Sequence, residues 1–567
     1  MAADHSLTVA DRPEPGRACT VPMLDYCAEK FSVSLFQNIN PTHKHELTLM
    51  TFEPMIKPAG LCAILATLNY CVPQESDELT LQVLPDSPPK NVIYILSDDH
   101  RYDFMGFTGK VPWLETPNLD RLAAEGAYFP NAYVTTALCS PSRASILTGL
   151  YSHSHTVVDN AAPDPGNLTF FPEYLQQAGY QTSFFGKWHM GNHSDEPQPG
   201  FDHWESFRGQ GVYYGPTLNI NGERIDYDEQ TYITDLLTSH AVDWLENRDT
   251  KKPFFLYLSH KAVHSQFQPA QRHRDIHRDE SIVLPDSFNT PQYGEPALPS
   301  ASATGEPLRG RDYYGQNRLP DWVKAQRESW HGVDYMYHGN ISFDEFFHRY
   351  TETLMGIDDS VGAVLDYLDA SGLAEDTLVI YMGDNGFSFG EHGLIDKRHF
   401  YEESAKVPLL VRWPEKLAGG QPINQLVQNI DIAPTILEAA GLSAPAHMQG
   451  ASLVPLLSRG ETDWRDRIFY EYYWEMDFPQ TPTMFGVRTE RYKYIRYHGI
   501  WDTNEFYDLL NDPGETNNLI DAPEHQDLIT DLATEVYQWL EETGGMQIPL
   551  KNVVRPKFGD HRNQSVL

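Results

Sequence analysis

Asn91-Val-Ile-Tyr-Ile-Leu-Ser97 runs directly into Asp98-Asp99-His100, and this junction decides the fold. An apolar, β-branched run without polar alternation reads as a strand covered on both faces, as in a parallel sheet. Two carboxylates at the end of such a strand are costly unless a cation or donors meet them. Open α/β sheets bind ligands at that edge. Alone, the pair would read as a self-solvating polar loop. A second run repeats the pattern: Thr377-Leu-Val-Ile-Tyr-Met-Gly383 ends in Asp384-Asn385-Gly386. Carboxylates with an amide carbonyl are all oxygen donors. They suit a hard cation, Ca²⁺ or Mg²⁺, better than zinc.

Further elements follow the same alternation. Pro253-Phe-Phe-Leu-Tyr-Leu-Ser259 is a third buried strand, leading into His260-Lys261-Ala262-Val263-His264. Thr182-Ser-Phe-Phe-Gly-Lys-Trp-His-Met-Gly191 carries Lys187 and His189 on one face of a strand end. Val407 to Arg412 reads as a strand, and Asp344 to Ala370 and Asp431 to Gly441 read as helices. Strands alternating with helices predict a mainly parallel α/β sheet. With 23 histidines in the chain, a single His is ordinarily an unremarkable one.

Thr135-Thr-Ala-Leu-Cys-Ser-Pro-Ser-Arg-Ala-Ser-Ile-Leu-Thr-Gly149 places Cys139 in a turn before a helix expected over Ala144 to Leu150. A helix N-terminus offers unpaired N–H groups and the positive end of the dipole, and Arg143 adds a fork of donors. A lone cysteine is more often a buried structural residue. Here the other four cysteines all precede residue 72, so none lies in the body of the protein to pair with Cys139.

The Cys-x-Pro-Ser-Arg core followed by Leu-Thr-Gly resembles the signature of the type I sulfatases. In that family the cysteine is oxidised to Cα-formylglycine, whose hydrate is the nucleophile. The resemblance implies an alkaline-phosphatase-like fold. It assigns Asp98, Asp99, Asp384 and Asn385 as Ca²⁺ ligands, with the side chain of residue 139 completing the shell. Gly-Lys-Trp-His is also a sulfatase motif. It makes Lys187 a ligand of nucleophile and sulfate, and His189 the base of the second step. The stretch Gly390-Glu-His-Gly-Leu-Ile-Asp-Lys-Arg398, continuing to Tyr401-Glu-Glu-Ser404, is similar to sulfatases. By that match Lys397 binds sulfate and His392 lines the substrate pocket. The leaving-group acid is placed at His264, with His260 as the alternative. Val263 stands where the family usually has proline. The implied reaction is attack of the formylglycine hydrate, aided by Arg143, Lys187 and Ca²⁺, on the sulfur of a sulfate ester.

Around this core, residues 1–90 read as an extension and linker, 91–460 as the catalytic domain and 461–567 as a C-terminal subdomain. Residues 1–54 lack periodicity. Met55-Ile-Lys-Pro-Ala-Gly-Leu-Cys-Ala-Ile-Leu-Ala-Thr-Leu-Asn-Tyr-Cys71 resembles an export signal; Leu-Asn-Tyr-Cys makes a poor lipobox, and the apolar run is too short to span a membrane. The alternative is an ordinary apolar segment packed on the domain. The export reading makes Met55 the start and the protein periplasmic or extracellular, with a lipid anchor as one form. Residues 265–345 are a long polar insertion expected to shape the substrate pocket. Strands from Arg467 and Met484, with a helix over Glu524 to Thr543, resemble the small antiparallel α+β subdomain of sulfatases.

The formal charge of −37 excludes nucleic acid as a natural partner. The expected partners are a sulfated carbohydrate and the enzyme that matures Cys139, with no stable protein partner. Gly200 to Tyr214 is similar to bacterial polysaccharide sulfatases, and the acidic surface favours an algal glycan such as ulvan. Glycosaminoglycans are the alternative. A phosphate or phosphonate monoester hydrolase of the same superfamily and a non-catalytic glycan-binding protein are the other two readings.

Overall fold

The computed structural model describes residues 79–549 apart from 290–318, 334–340 and scattered single positions or short runs. Residues 1–54, Met55–Cys71 and the middle of the 265–345 insertion lie outside the described residues, so the export reading and part of the insertion cannot be placed. The described residues belong to one compact unit. Among them, no helix is long and apolar enough to cross a membrane.

The strands of the large sheet are, in chain order, β1 (Asn91–Ser97), β2 (Ala127–Tyr128), β3 (Gln181–Lys187), β4 (His203–Phe207), β5 (Thr217–Ile220), β6 (Glu223–Asp226), β7 (Phe254–Ser259), β8 (Thr377–Gly383) and β9 (Leu409–Arg412). Across the sheet they lie as β2-β9-β8-β1-β7-β3-β4-β5-β6. The central five, β8 to β4, are parallel. The outer strands are antiparallel. β1, β7 and β8 are buried along nearly their whole length, which is why they read as unbroken apolar runs. The exposed edge strand β6 is Glu-Arg-Ile-Asp, charged as an unpaired edge should be.

Helices cover both faces: α1 (Pro117–Glu125), α2 (Cys139–Thr148), α3 (Ile233–Asn247), α4 (Phe343–Ser371), α5 (Ile432–Ala439) and α6 (Gln526–Thr543). The two-residue period of β1 divides its side chains between two cores. Val92, Tyr94 and Leu96 join Ile146 of α2 and Ile436 of α5. Ile93 and Ile95 join Leu237 of α3 and Leu354 of α4. Each such buried side chain is worth roughly 1.5–3 kcal/mol. The sheet is therefore clamped, and its C-terminal edge is the rigid rim on which loops are built.

The second sheet comprises β10 (Arg467–Tyr472), β11 (Thr483–Thr489), β12 (Tyr492–His498) and β13 (Glu505–Asp508), antiparallel in that order. Val536, Trp539 and Leu540 of α6 pack with its Phe485, Val487 and Phe506. One position departs from the expectation drawn above. α2 begins at Cys139, not at Ala144. Ser140, Pro141 and Ser142 form its first turn, where proline costs little because its missing N–H has no partner there anyway. Gly149 ends the helix at φ 68°, a left-handed stop.

The small sheet is joined to the loop between β8 and β9 through an ion cluster. Lys493 of β12 is fully buried between Glu402 at 2.8 Å and Glu515 at 2.7 Å, and donates to the Phe400 carbonyl at 2.7 Å. Replacing Lys493 by Met would leave the buried Glu515 carboxylate without its cation, and Glu402 with only Lys406 and Arg488 at 3.5 and 3.6 Å. The expected cost is about 3–5 kcal/mol, read as a lower midpoint of urea unfolding for Lys493→Met. An unchanged midpoint would show that the cluster does not hold the small sheet to that loop.

Candidate active site

β1 and β8 are neighbours in register, Ser97 beside Gly383. That pairing brings the residues that follow each strand face to face. Asp98, Asp99 and Asp384 are fully buried, and each offers a carboxylate oxygen within 4.8 Å of the other two. Asn385 follows Asp384, and its Nδ2 donates to Asp99 Oδ1 at 2.7 Å. Its Oδ1 is buried without a hydrogen-bond partner among the described residues. Four oxygen-bearing side chains with one orphaned carbonyl oxygen form a donor set that fits a hard divalent cation such as Ca²⁺.

Cys139 enters this group from α2, with Sγ 3.4 Å from Asp98 Oδ1. Asp98, Cys139 and His264 also form a mutual cluster within 4.8 Å. Burial, reinforced by the Asp98 charge, pushes the Cys139 thiol well up despite Lys187 and Lys397. A protonated thiol is a weak nucleophile. One helical turn on, Arg143 is buried and reaches back to the acids. Its Nε donates to Asp384 Oδ2 at 2.9 Å and its Nη1 to Ser259 Oγ at 2.6 Å and to the Lys187 carbonyl at 2.7 Å. Arg143 thus fastens α2 to the ends of β3, β7 and β8.

Lys187 is the last residue of β3. Its Nζ pairs with Asp98 Oδ2 and donates to Gln210 Oε1 at 2.5 Å. The glycine before it has a steric cause. A Cβ on Gly186, at φ 115°, would lie 1.8 Å from the Ser259 carbonyl oxygen, so only glycine lets the two strand ends approach. His189 follows two residues later on left-handed backbone, φ 54°, and its carbonyl accepts from Ser140 Oγ. Lys397 approaches from the other side, 2.5 Å from Asp99 Oδ1. It stands between two left-handed residues, Asp396 at φ 80° and Arg398 at φ 86°. Arg398 is anchored to Glu475 at 2.9 Å and to Asp396, which holds that strained turn in place.

The charges explain the protonation pattern. Burial works against the Asp98 carboxylate, but Lys187, His264 and Arg143 outweigh it and hold the group well below its usual range. Burial pushes Asp99 up to about 7, with Lys397 opposing and Asp98 and Asp384 adding. Asp384 is raised too, by burial and then by Asp98. Carboxylates pushed upward by one another mark a place where positive charge is missing. His264 lies with Nε2 3.9 Å from Asp99 Oδ2, and Nδ1 meets the Ser265 carbonyl at 2.6 Å.

His260, the alternative acid, and His392, expected to line the substrate pocket, lie outside the carboxylate cluster. His260 points its Nε2 at Ser360 of α4, 2.9 Å away, and burial lowers it to about 3. His392 lies against Tyr401 with ring centres 4.2 Å apart and planes tilted by 35°, and its backbone N–H donates to Ser287 Oγ. Sequence reading passed over Ser259, Gln210 and Lys261. Lys261 is buried with Nζ 4.7 Å over the Tyr213 ring, and burial together with Lys187 lowers it to about 7. The one signal for Gln210 was its position between two glycines, Gly209 and Gly211.

A strand-end carboxylate cluster, a cysteine at a helix start and converging Arg and Lys groups form a site for an anionic ester, and the similarities to known proteins make it that of a sulfuric ester hydrolase. The sulfatase family profile matches residues 90–442, and the profile of the N-sulphoglucosamine sulphohydrolase C-terminal region matches residues 390–542. The chain belongs to the sulfatase family. It is similar to an N-acetylglucosamine-6-O-sulfatase of Bacteroides thetaiotaomicron, 35% identical over 504 residues, covering 80% of this chain and 86% of that protein. It is 32% identical over 412 residues to N-acetylglucosamine-6-sulfatase of Homo sapiens, covering 68% of this chain and 67% of that protein. A solved structure of BT4656 in complex with its substrate D-glucosamine-2-N,6-O-disulfate superposes with a TM-score of 0.69 at 32% identity, covering 81% of this chain and 99% of that one.

The cation site has a test that needs no activity. Ca²⁺ should raise the thermal midpoint over the value in EDTA, by about 2.7 kcal/mol of stability at a hundredfold excess over Kd. Asp384→Asn should abolish the rise. An equal rise in that variant would place the cation elsewhere.

Proposed function

We propose that the protein removes the 6-O-sulfate of a glucosamine-type residue in a sulfated carbohydrate, with formylglycine at position 139 and Ca²⁺ at the carboxylate cluster. The observation that carries this reading is similarity along most of the chain to proteins named as glucosamine 6-O-sulfatases, combined with a complete set of reacting groups at one sheet edge. Carbohydrate sulfate ester hydrolysis was the expectation from sequence. The relatives move the substrate from an algal glycan towards the glycosaminoglycan alternative. Export through Met55–Cys71 and maturation of Cys139 by a formylglycine-forming enzyme belong to the same proposal.

Oxidation of Cys139 would supply an aldehyde hydrate as the attacking group, in place of a thiol that burial keeps protonated. A divalent cation held by Asp98, Asp99, Asp384 and Asn385 would supply charge for a sulfate oxygen. The remaining work falls to side chains already in position. Arg143 and Lys187 carry positive charge on either side of Cys139, where oxygens of the ester gain charge during transfer. Lys397 adds a third cation from the opposite side. The Ser265 carbonyl accepts a hydrogen bond from His264 Nδ1–H, which directs Nε2 at the acids. Burial and Lys397 hold the resting ring neutral, so Nε2 must first gain a proton, favoured by the adjacent Asp98 charge, before His264 can deliver it to the departing sugar oxygen. His189, close to Ser140 on the first turn of α2, is assigned to take a proton from residue 139 in the second step.

The deciding experiment is sulfate release by protein made in a host that forms formylglycine. Substrates would be N-acetylglucosamine 6-sulfate, glucosamine 2-N,6-O-disulfate, ulvan oligosaccharides and a phosphate monoester. Release should come from the 6-O-sulfated amino sugars and fall at least about a thousandfold in Cys139→Ala. Release from ulvan alone would overturn the substrate. Faster turnover of the phosphate ester would overturn the reaction class.

A further inference from the structure

Residues 207–213 form a loop that touches the site at three points, although none of its side chains belongs to the carboxylate cluster. Phe207 ends β4 directly opposite Lys187 at the end of β3. Three residues later, Gln210 Oε1 accepts from Lys187 Nζ at 2.5 Å. Tyr213 then donates its hydroxyl to the His264 carbonyl at 2.6 Å and lies under Lys261 Nζ at 4.7 Å. The loop is therefore fixed against both the floor lysine and the histidine segment.

Its turn is built to present Gln210. Gly209 and Gly211 adopt φ 55° and 65°, left-handed backbone that glycine enters without strain. A Cβ on Gly211 would lie 2.5 Å from the Phe207 ring. The side chain so presented differs from its neighbour in burial. Lys187 is fully buried, whereas Gln210 is half-buried. Of the two side chains, Gln210 is therefore the one nearer solvent. A carboxamide has an acceptor and two N–H donors. The acceptor is spent on Lys187. The Nε2 group has no acceptor among the described residues.

We propose that Gln210 is a substrate-positioning residue: Oε1 fixes the Lys187 ammonium, and Nε2 donates to an oxygen of the sugar that carries the sulfate. The assignment rests on the carbohydrate-sulfatase reading above. The sugar, not the sulfate, is its target because the sulfate belongs at the floor with Cys139, Arg143 and Lys187. Gln210 stands one group further out, where the ring attached to that sulfate must pass.

The test compares a ligand that has the sugar with one that lacks it. On matured enzyme with Ca²⁺, KM for N-acetylglucosamine 6-sulfate and Ki for inorganic sulfate would be measured in wild type, Gln210→Ala and Gln210→Met. The Met variant keeps the side-chain volume, and thermal midpoints establish that both variants fold. Both ligands meet the Lys187 that Oε1 no longer fixes, but only the sugar meets Nε2, so KM should rise about tenfold more than Ki for sulfate, the worth of one hydrogen bond to a sugar oxygen. Equal changes in KM and Ki would mean that Gln210 serves only Lys187, and would overturn the sugar contact. No change in either would overturn the proposal entirely. Failure of the underlying reading shows differently: wild-type enzyme would then release no sulfate from the amino sugar at all.

Discussion

Three carboxylates buried together at the ends of two adjacent parallel strands are the constraint on which the rest depends. Like charges in a dry place repel strongly, and only nearby cations make the arrangement tenable. The fold supplies one for each acid from a different direction. Lys187 reaches Asp98 from β3, Arg143 reaches Asp384 from α2, and Lys397 reaches Asp99 from the loop after β8. Each cation is then held by something further away. Arg143 is tied to Ser259, and Lys187 to Gln210. Lys397 sits in a strained turn whose next residue, Arg398, is fastened to Glu475.

That chain of support explains why the small sheet is part of the same compact unit. Glu475 follows β10, and Lys493 of β12 holds Phe400 and Glu402 just beyond Lys397. The loop that brings Lys397 to Asp99 is thus pinned by the C-terminal region just beyond Lys397, at Arg398, Phe400 and Glu402. Positive φ at His392, Asp396 and Arg398 within a few residues would not persist in a free loop. The second sheet contributes no group to the carboxylate cluster. Its role is to hold backbone where isolated chain would not stay.

Much of this architecture could be read beforehand because buried parallel strands leave a plain trace. β1, β7 and β8 are continuous apolar runs, and each changes abruptly to polar residues at the rim. Their order in the sheet could not be read, since nothing in three similar runs says which lies beside which. The pairing of β1 with β8 is what makes two separate acidic motifs one cluster. Orientation was equally hidden. His260 and His264 are four residues apart after the same strand, yet one faces Ser360 in the helix layer and the other faces Asp99. The start of α2 was misplaced because Pro141 suggests a turn, although proline is compatible with a helix's first turn. Gln210 stayed unseen because its place comes from a glycine-flanked turn, which has no periodicity to reveal which side chain points inward.

The charge balance of the site also explains how so acidic a protein can take an anionic substrate. A net charge of −37 gives no long-range attraction for a sulfated sugar, and exposed charges are screened beyond about 8 Å at physiological ionic strength. Attraction must be local. Yet within the site Arg143, Lys187 and Lys397 are already matched by Asp98, Asp99 and Asp384. A sulfate ester entering that balanced set would bring one uncompensated negative charge into a buried place. Lys261, lowered to about 7, offers only part of a further charge near neutral pH. Two more positive charges, of the kind the oxygen cluster fits, would turn a neutral site into one that holds an anion. The orphaned Asn385 oxygen and the raised Asp99 and Asp384 carboxylates point to the same deficit. Binding of cation and of substrate should therefore be coupled, each favouring the other, through charges that the folded chain leaves one cation short.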